Sequence, residues 1–495
     1  MNRLKTNRLA LALIPLLGAC SLAPSYQRPD AGETATFKEQ SAQTAPDGTV
    51  WKAATPSDAV LRGQWWAVFA DADLDGLEAQ AMADNQTLKG ALARVNEARA
   101  VQLTARSALF PTIGAGAGPV RQKPSSAATY GTDGINVPPQ TLWRAQATAT
   151  WEVDLFGRAT SELNASKAES MQAEALFRSV QLALQADVAQ TYFNLRELDS
   201  EIAIYRQTVA LREDAVKLVT HRYDAGDITE LDVARATAEL ATARSDQMTA
   251  ERLRAASEHS LAVLLGMPPA AFSFPARPIE KVDITLPAGL PSDLLERRPD
   301  IAAAERAVAA ANARIGVARA AYFPSLTLTG SGGGESAKFS NLFSSGSKVF
   351  LLGPLAGTIL NLPLFDGGLR KGNLQKTHAE LEESTAAYRE QVLVAFQEVE
   401  DHLADLRILQ TQTKTQDEAV RASTRAEAIS RTQYREGAVN FLDVIDAQRS
   451  TLQSRLAASR LTGVQTVATV NLIRALGGGW DGVPGAMSGE AVSRR

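Results

Sequence analysis

Thiol chemistry in this 495-residue chain has a single candidate, Cys20. One cysteine cannot close a disulfide within the chain or build a cysteine-based zinc site. The histidines are His221, His259, His378 and His402, and no two of them stand at metal-ligand spacing. No metal site is therefore expected. Gly330 to Gly334 is glycine-rich. It lacks the following lysine and the strand–loop–helix frame of a phosphate loop, and no serine stands in a nucleophile elbow. The chain reads as a non-enzyme. The other functional groups are carboxylates. Asp443 and Asp446 are three apart at a helix start and share one face. Asp232 is the counterpart of Asp443 in an internal repeat. Rings of such carboxylates around a narrow mouth favour cations and hinder anions. The same aspartates also suit helix N-termini, where each contributes ~0.3–1 kcal/mol. The two roles can coexist.

The elements around Cys20 say where the thiol goes. Arg3, Lys5 and Arg8 form a positive stretch, followed by the nine apolar residues Leu9 to Leu17. A membrane-spanning helix needs ~20 residues, so this is a signal peptide. Leu17 to Cys20 resembles the bacterial lipobox, which implies cleavage before Cys20 and acylation of its thiol. Ser21 at the next position implies sorting to the outer membrane. The alternative is an ordinary signal peptide with a chance cysteine. Lys and Arg total 51 and Asp and Glu total 55, a net charge of −4. Loss of residues 1–19 would leave −7. That balance argues against nucleic-acid binding through bulk positive charge. Residues 20–64, rich in Pro, Ser, Thr and Ala, read as an extended or poorly ordered arm.

Long helices dominate the rest of the chain. The segment Leu74 to Leu109 has helical spacing and no proline. Between Gly157 and Gly226 lie 68 residues without Gly or Pro, and between Gly372 and Gly437 lie 64. At 1.5 Å per residue the first would run roughly 100 Å. A shift of 211 lays Tyr223 to Gly226 on Tyr434 to Gly437, Asp232 on Asp443, and Leu265-Gly266 on Leu476-Gly477. Phe110-Pro111 matches Phe323-Pro324 at a nearby shift. The chain thus reads as two copies of one unit: a first over 65–289, with a β-hairpin at about 112–156 and a helical hairpin at 158–266, and a second over 290–477, with a β-hairpin at about 323–365 and a helical hairpin at 368–476. Residues 478–495 form a tail. Gly226 and Gly437 stand at the tips, where they supply unusual backbone angles. The repeat breaks its symmetry where Asp446 aligns with Arg235.

Trp143 to Leu155 alternates without a break. Trp143, Ala145, Ala147, Ala149, Trp151, Val153 and Leu155 face one way, and Arg144, Gln146, Thr148, Thr150, Glu152 and Asp154 the other. This period-2 pattern suits a barrel strand with a lipid face and a lumen face. Trp143 and Trp151 are ~26 Å apart along the strand, as two aromatic girdles require. A soluble sandwich strand is the alternative. Thr112 to Val120, Ser325 to Ser331 and an interrupted Val349 to Phe365 are the expected partners, with Arg121–Gln140 and Gly332–Lys348 as polar loops. That makes four strands per chain. Their open edges cannot face lipid, so a barrel needs more than one chain. Ile301 to Ala321 holds eleven alanines, which lets helices approach closely and also favours helix formation in itself.

These features together resemble the TolC-like outer-membrane efflux channels, and the lipobox resembles the OprM-like, NodT-type lipoprotein branch. The match rests on Tyr434-x-x-Gly437-x5-Asp443-Val444-x-Asp446-Ala447, its copy from Tyr223, the string Leu290 to Ile301, and Phe323-Pro324-Ser325. The resemblance implies a mixed, mainly α fold: a homotrimer whose twelve strands form one outer-membrane β-barrel, continued by a periplasmic α-helical barrel. It implies a duct that passes drugs or other small toxic compounds outward from a periplasmic adaptor and an inner-membrane pump, in a Gram-negative bacterium. Lipid on Cys20 is the only expected covalent group, and no cofactor is implied. It also places Asp232, Asp443 and Asp446 at a constricted periplasmic entrance. Arg235, Tyr223 or Tyr434 would tether a neighbouring tip through Asp232 or Asp443. A periplasmic adaptor lipoprotein and a type I secretion exit duct are the alternatives. An adaptor normally has one helical hairpin, and this chain has two.

Overall fold

The computed structural model describes residues 22–30, 32, 37–39, 64–123, 138–280, 297–352 and 360–478. Residues 1–21, which include the signal peptide and Cys20, lie outside them, as does most of the tail. The described chain is mainly helical with one sheet. In order the elements are α1 (Ala72–Asp84), α2 (Gln86–Ser107), β1 (Thr112–Gln122), β2 (Gln140–Val153), α3 (Arg158–Asp224), α4 (Glu230–Leu264), α5 (Pro299–Ala320), β3 (Ser325–Ser336), β4 (Lys348–Leu352), β5 (Leu360–Asn361), α6 (Leu369–Arg435) and α7 (Phe441–Ala475). Helices α3 and α6 have 67 residues each, and α4 and α7 have 35 each.

The chain divides into two compact units. The first holds the described residues among 1–29, 94–174 and 303–388. Its sheet is antiparallel throughout, in the order β1-β2-β3-β4, with β5 also on β3. Several expectations are corrected here. Strand β2 spans Gln140–Val153, so it begins earlier than Trp143 and stops short of Leu155. Strand β3 runs on to Ser336, so Gly332 to Ser336 is strand and only residues 337–347 connect it to β4. Its glycines hid this, because without side chains they carry no alternation. The last strand is met as two short pieces, β4 and β5, with residues 353–359 outside the described residues.

Register gives this sheet two chemically distinct faces. Directly paired residues share a face, so Ile113, Ala115 and Ala117 line up with Ala149, Ala147 and Ala145. Those line up with Gly330, Gly332 and Gly334, and then with Leu352, Phe350 and Lys348. Trp143 and Trp151 bracket these rows. The opposite face carries Arg144, Gln146, Thr148 and Thr150 beside Glu335, Gly333, Ser331 and Thr329. Arg144 Nε donates to Glu335 across that face at 2.5 Å.

The first unit also binds the start of the chain. Asn312 Nδ2 donates to the Pro24 carbonyl at 2.9 Å, Tyr26 OH donates to Glu305 at 3.0 Å, and Arg28 Nε donates to the Tyr388 hydroxyl at 3.0 Å. Gly316 makes room for this arm. A Cβ there would stand 2.7 Å from Ala23 Cβ and 2.6 Å from Ser161 Oγ. So the alanine-rich stretch of α5 seats an extended strap as well as neighbouring helices.

The second unit holds the described residues among 30–93, 175–302 and 389–478. Its largest core joins Trp65, Trp66 and Phe69 to Leu74, Leu77 and Ala81 of α1. Onto these pack Tyr192, Phe193 and Leu195 of α3, Leu261 of α4 and Ile473 of α7. The expected single helix over Leu74–Leu109 is in fact two. Asn85 separates α1 from α2, accepting from Leu88 N at 2.9 Å and donating to the Leu264 carbonyl at 2.8 Å. Asparagine favours such capping geometry over helix interior. Arg196, almost fully buried, is neutralised by Asp73 and Asp199.

Candidate channel mouth and membrane face

The turns α3–α4 and α6–α7 are built alike. Gly226 N donates to Tyr223 O and Asp227 N to Arg222 O; Gly437 N donates to Tyr434 O and Ala438 N to Gln433 O. This is the Schellman end of a helix, which needs a left-handed residue. Gly226 and Gly437 supply it at φ 83° and 78°. An apolar cluster joins both turns: Val219, Ala236, Tyr434, Phe441, Val444 and Ile445, with Ile228, Val233 and Val439 partly buried against it.

The predicted polar residues divide around this cluster. Asp443 sits in a capping box, accepting from Asn440 N at 3.2 Å while Asn440 Oδ1 accepts from Asp443 N at 3.1 Å. Asp232 lies in the first turn of α4 and is 3.6 Å from Arg235 of its own helix. Asp446 is exposed and is 3.7 Å from Arg449. Tyr434 is buried against Phe441, with ring centroids 5.3 Å apart, and the Arg222 guanidinium stands 5.0 Å over its ring. Burial pushes the Tyr434 hydroxyl pKa up. Tyr223 is exposed. Asp232 and Arg235 are thus paired within one helix, Tyr434 is packed in the tip, and Asp446 and Tyr223 are open to solvent.

Two groupings escaped the sequence reading. Glu239 of α4 accepts from Arg449 of α7 and pairs with Arg212 of α3 at 2.9 Å. Arg449 in turn faces Asp446, so one acid and two arginines tie three helices together just behind the tips. Glu239 raises the Arg449 pKa, and burial lowers that of Arg212. No local spacing signals these pairs, because Arg449 stands 210 residues from Glu239 and Arg212 stands 27 from it. The second grouping gives the Leu290–Ile301 string a job. Arg298, almost fully buried, donates to Asp300 at 2.6 Å, to Glu398 of α6 at 2.5 Å and to the Ala475 carbonyl at 3.1 Å. Residues 290–296 of that string lie outside the described residues.

Trp143 and Trp151 stand at opposite ends of the apolar sheet face. Trp151 Nε1 donates to the Leu109 carbonyl at 3.2 Å, at the end where helices begin. Trp143 meets Phe339 edge-on at 5.1 Å, at the far end. Among the described residues no group of three or more His, Cys, Asp or Glu is placed to hold a metal ion. Among them, also, no helix is long and apolar enough to cross a membrane.

A sheet with one apolar face, long helical hairpins and glycine tips define an outer-membrane channel chain, and comparison with known proteins agrees. The pattern of the outer membrane efflux protein family matches residues 77–267 and again 290–478. The chain belongs to that family. It is 34% identical over 483 residues to the toluene efflux pump outer membrane protein TtgF of Pseudomonas putida, covering 97% of this chain and 98% of that one. It is 34% identical over 474 residues to the outer membrane protein OprJ of Pseudomonas aeruginosa, covering 95% of each. Among solved structures, the outer-membrane channel OprN superposes with a TM-score of 0.81 at 31% identity, over 93% of this chain and all of that one.

Proposed function

We propose that this protein is the outer-membrane exit duct of a tripartite efflux system. In this reading three copies close one twelve-stranded barrel, and their helices continue it as a periplasmic tunnel. The sheet carries the argument. Among the described residues, the outward edges of β1 and of β4 and β5 pair with nothing. Such edges are not tolerated in lipid. With an even number of strands per chain, β1 of one copy meets β4 of the next in antiparallel fashion, so closure by copies keeps every ladder regular. The apolar face then meets lipid, and the Arg144–Glu335 face lines the lumen. Matching family patterns in the two halves, and equal helix lengths in each, support a duplicated unit.

Acylation of Cys20 fits the strap. The Leu22 carbonyl accepts from Arg319 at 3.4 Å, at the end of α5 and six residues before β3 begins. A lipid two residues upstream of Leu22 would meet the membrane where the strands enter it. The relatives named for toluene and antibiotic efflux suggest drugs or other small toxic compounds as cargo. A periplasmic adaptor and an inner-membrane pump are the partners such a duct needs. At the entrance Asp232, Asp443 and Asp446 form the carboxylate ring. Arg235 and Tyr223 are the candidate tethers between tips, while Tyr434 is buried within its own tip.

Expression in a host that lacks its own duct tests the function. Resistance should return only when a compatible adaptor and pump are present, and the protein should migrate as a heat-modifiable trimer from outer membranes. Recovery with the inner membrane, without restored resistance, would refute the reading. For the entrance, Asp443→Ala with Asp446→Ala should alter conductance and lower cation selectivity in planar bilayers. Unchanged values would remove the aspartates from the gate.

A further inference from the structure

The β3–β4 connection, residues 337–347, folds back onto the sheet. Its short turns Phe339–Asn341 and Ser345–Ser347 bring Leu342 and Ser347 under cover. Ser347 Oγ donates to the Leu342 carbonyl at 2.6 Å and lies 3.4 Å from where a Gly334 Cβ would stand. Gly334 shares its face with Ala145, so the connection lies on the apolar side of the sheet. Phe339 seals it against Trp143 on that same side.

This folding leaves three phenylalanines facing outward. Phe343 is 83% exposed, Phe350 79% and Phe339 63%. Along β4 the apolar-face positions read Lys348, Phe350 and Leu352. Lys348 and Lys338 are exposed, and neither has a carboxylate in ion-pair range among the described residues. Exposed aromatic side chains this large, on one connection and the strand that follows it, offer an interaction surface. Lysines at its rim can lay their stems on apolar surface and keep the charge in a polar layer. A lipid bilayer offers that sequence of environments: hydrocarbon for Phe350, boundary for Phe339 and Phe343, anionic headgroups for the two lysines.

We infer that the 337–347 connection is a lipid-recognition element, seated on the outer boundary of the membrane and binding a phosphate-bearing glycolipid of the outer leaflet through Lys338 and Lys348. The inference rests on the barrel reading above, which puts the apolar sheet face in lipid and the end away from the helices outside. The partner is set by charge and continuity: the patch extends a lipid-facing surface, and its rim is cationic.

Nitroxide labels on Phe343→Cys and Phe350→Cys, in vesicles containing phosphorylated outer-leaflet glycolipid, separate the two layers of the argument. Both labels should collide with lipid-dissolved oxygen in preference to an aqueous nickel chelate. A Phe350 label in lipid with a Phe343 label in water overturns the inference and leaves the barrel standing. Both labels in water overturn the barrel reading and the inference with it. A Phe343 label shielded from both reagents means a second copy covers the connection, which also overturns it. In detergent micelles the protein should bind the phosphorylated glycolipid about tenfold more tightly than its dephosphorylated form. Lys338→Ala with Lys348→Ala should abolish that preference. Equal binding of the two lipids by the unaltered protein refutes the role of the lysines.

Discussion

Glu78 is fully buried on the inner side of α1, beside Leu74, Leu77 and Ala81 of the largest core. Neither carboxyl oxygen has a hydrogen-bond partner among the described residues. Burial pushes its pKa up to about 9 from an ordinary 4.5, with Asp75 adding to the effect. The folded chain therefore keeps this proton at neutral pH, while the unfolded chain releases it. Stability contributed through Glu78 is full below pH 4.5 and falls as pH rises toward 9, at about 1.4 kcal/mol per unit. At pH 7.5 the difference is about 4 kcal/mol, an upper bound, since core relaxation and water penetration reduce it. Glu78→Met keeps the length and removes the charge. It should stabilise the protein by about 2–4 kcal/mol at pH 7.5 and by under about 1 kcal/mol at pH 5. Thermal unfolding followed by tryptophan fluorescence reports it directly, because Trp65 and Trp66 belong to the same core. A Glu78→Met protein that is less stable at pH 7.5, or a gain equal at both pH values, would refute a buried, unpaired carboxyl at this position.

Three further outcomes are expected from other contacts. Glu197 and Glu201 of α3 share Arg460 of α7, and burial with the Glu201 charge pushes Glu197 up to about 7. Arg460→Ala should cost more stability at pH 8, where Glu197 is ionised, than at pH 5.5, where it is protonated; thermal midpoints at the two pH values check this. Gly316→Val should displace the strap, since its Cβ would fall 2.9 Å from Ala23 Cα, and chymotryptic cleavage after Tyr26 should become faster with a loss of about 1–3 kcal/mol. Asn440→Ala removes the cap on α7 and should cost about 1 kcal/mol in thermal or denaturant unfolding, while Asp443→Asn, which keeps an acceptor there, should cost less.

Local chemistry carried much of the design into the sequence. Periods without Gly or Pro set the helical stretches, because α3 and α6 need only uninterrupted backbone bonding and a glycine to stop them. The period-2 pattern of β2 marked a two-faced strand, because side chains alternate on any strand. The tip aspartates were legible as helix-start residues, and Asn440 and Asp443 do close a cap. The rest depends on residues that meet only after folding. Gly332 to Gly334 carry no pattern of their own and became strand because β2 offers them a pairing edge. Helix α1 parts from α2 because Asn85 finds the Leu264 carbonyl. Glu239 chose Arg212 and Arg449, and Arg298 chose Glu398, across distances in sequence that no local rule spans. Glu78 looks like any helix-surface acid until the core closes over it. Spacing along the chain determines which elements form and which way their faces look. Tertiary structure decides which charges are paired, which are buried alone, and which apolar surface is left open.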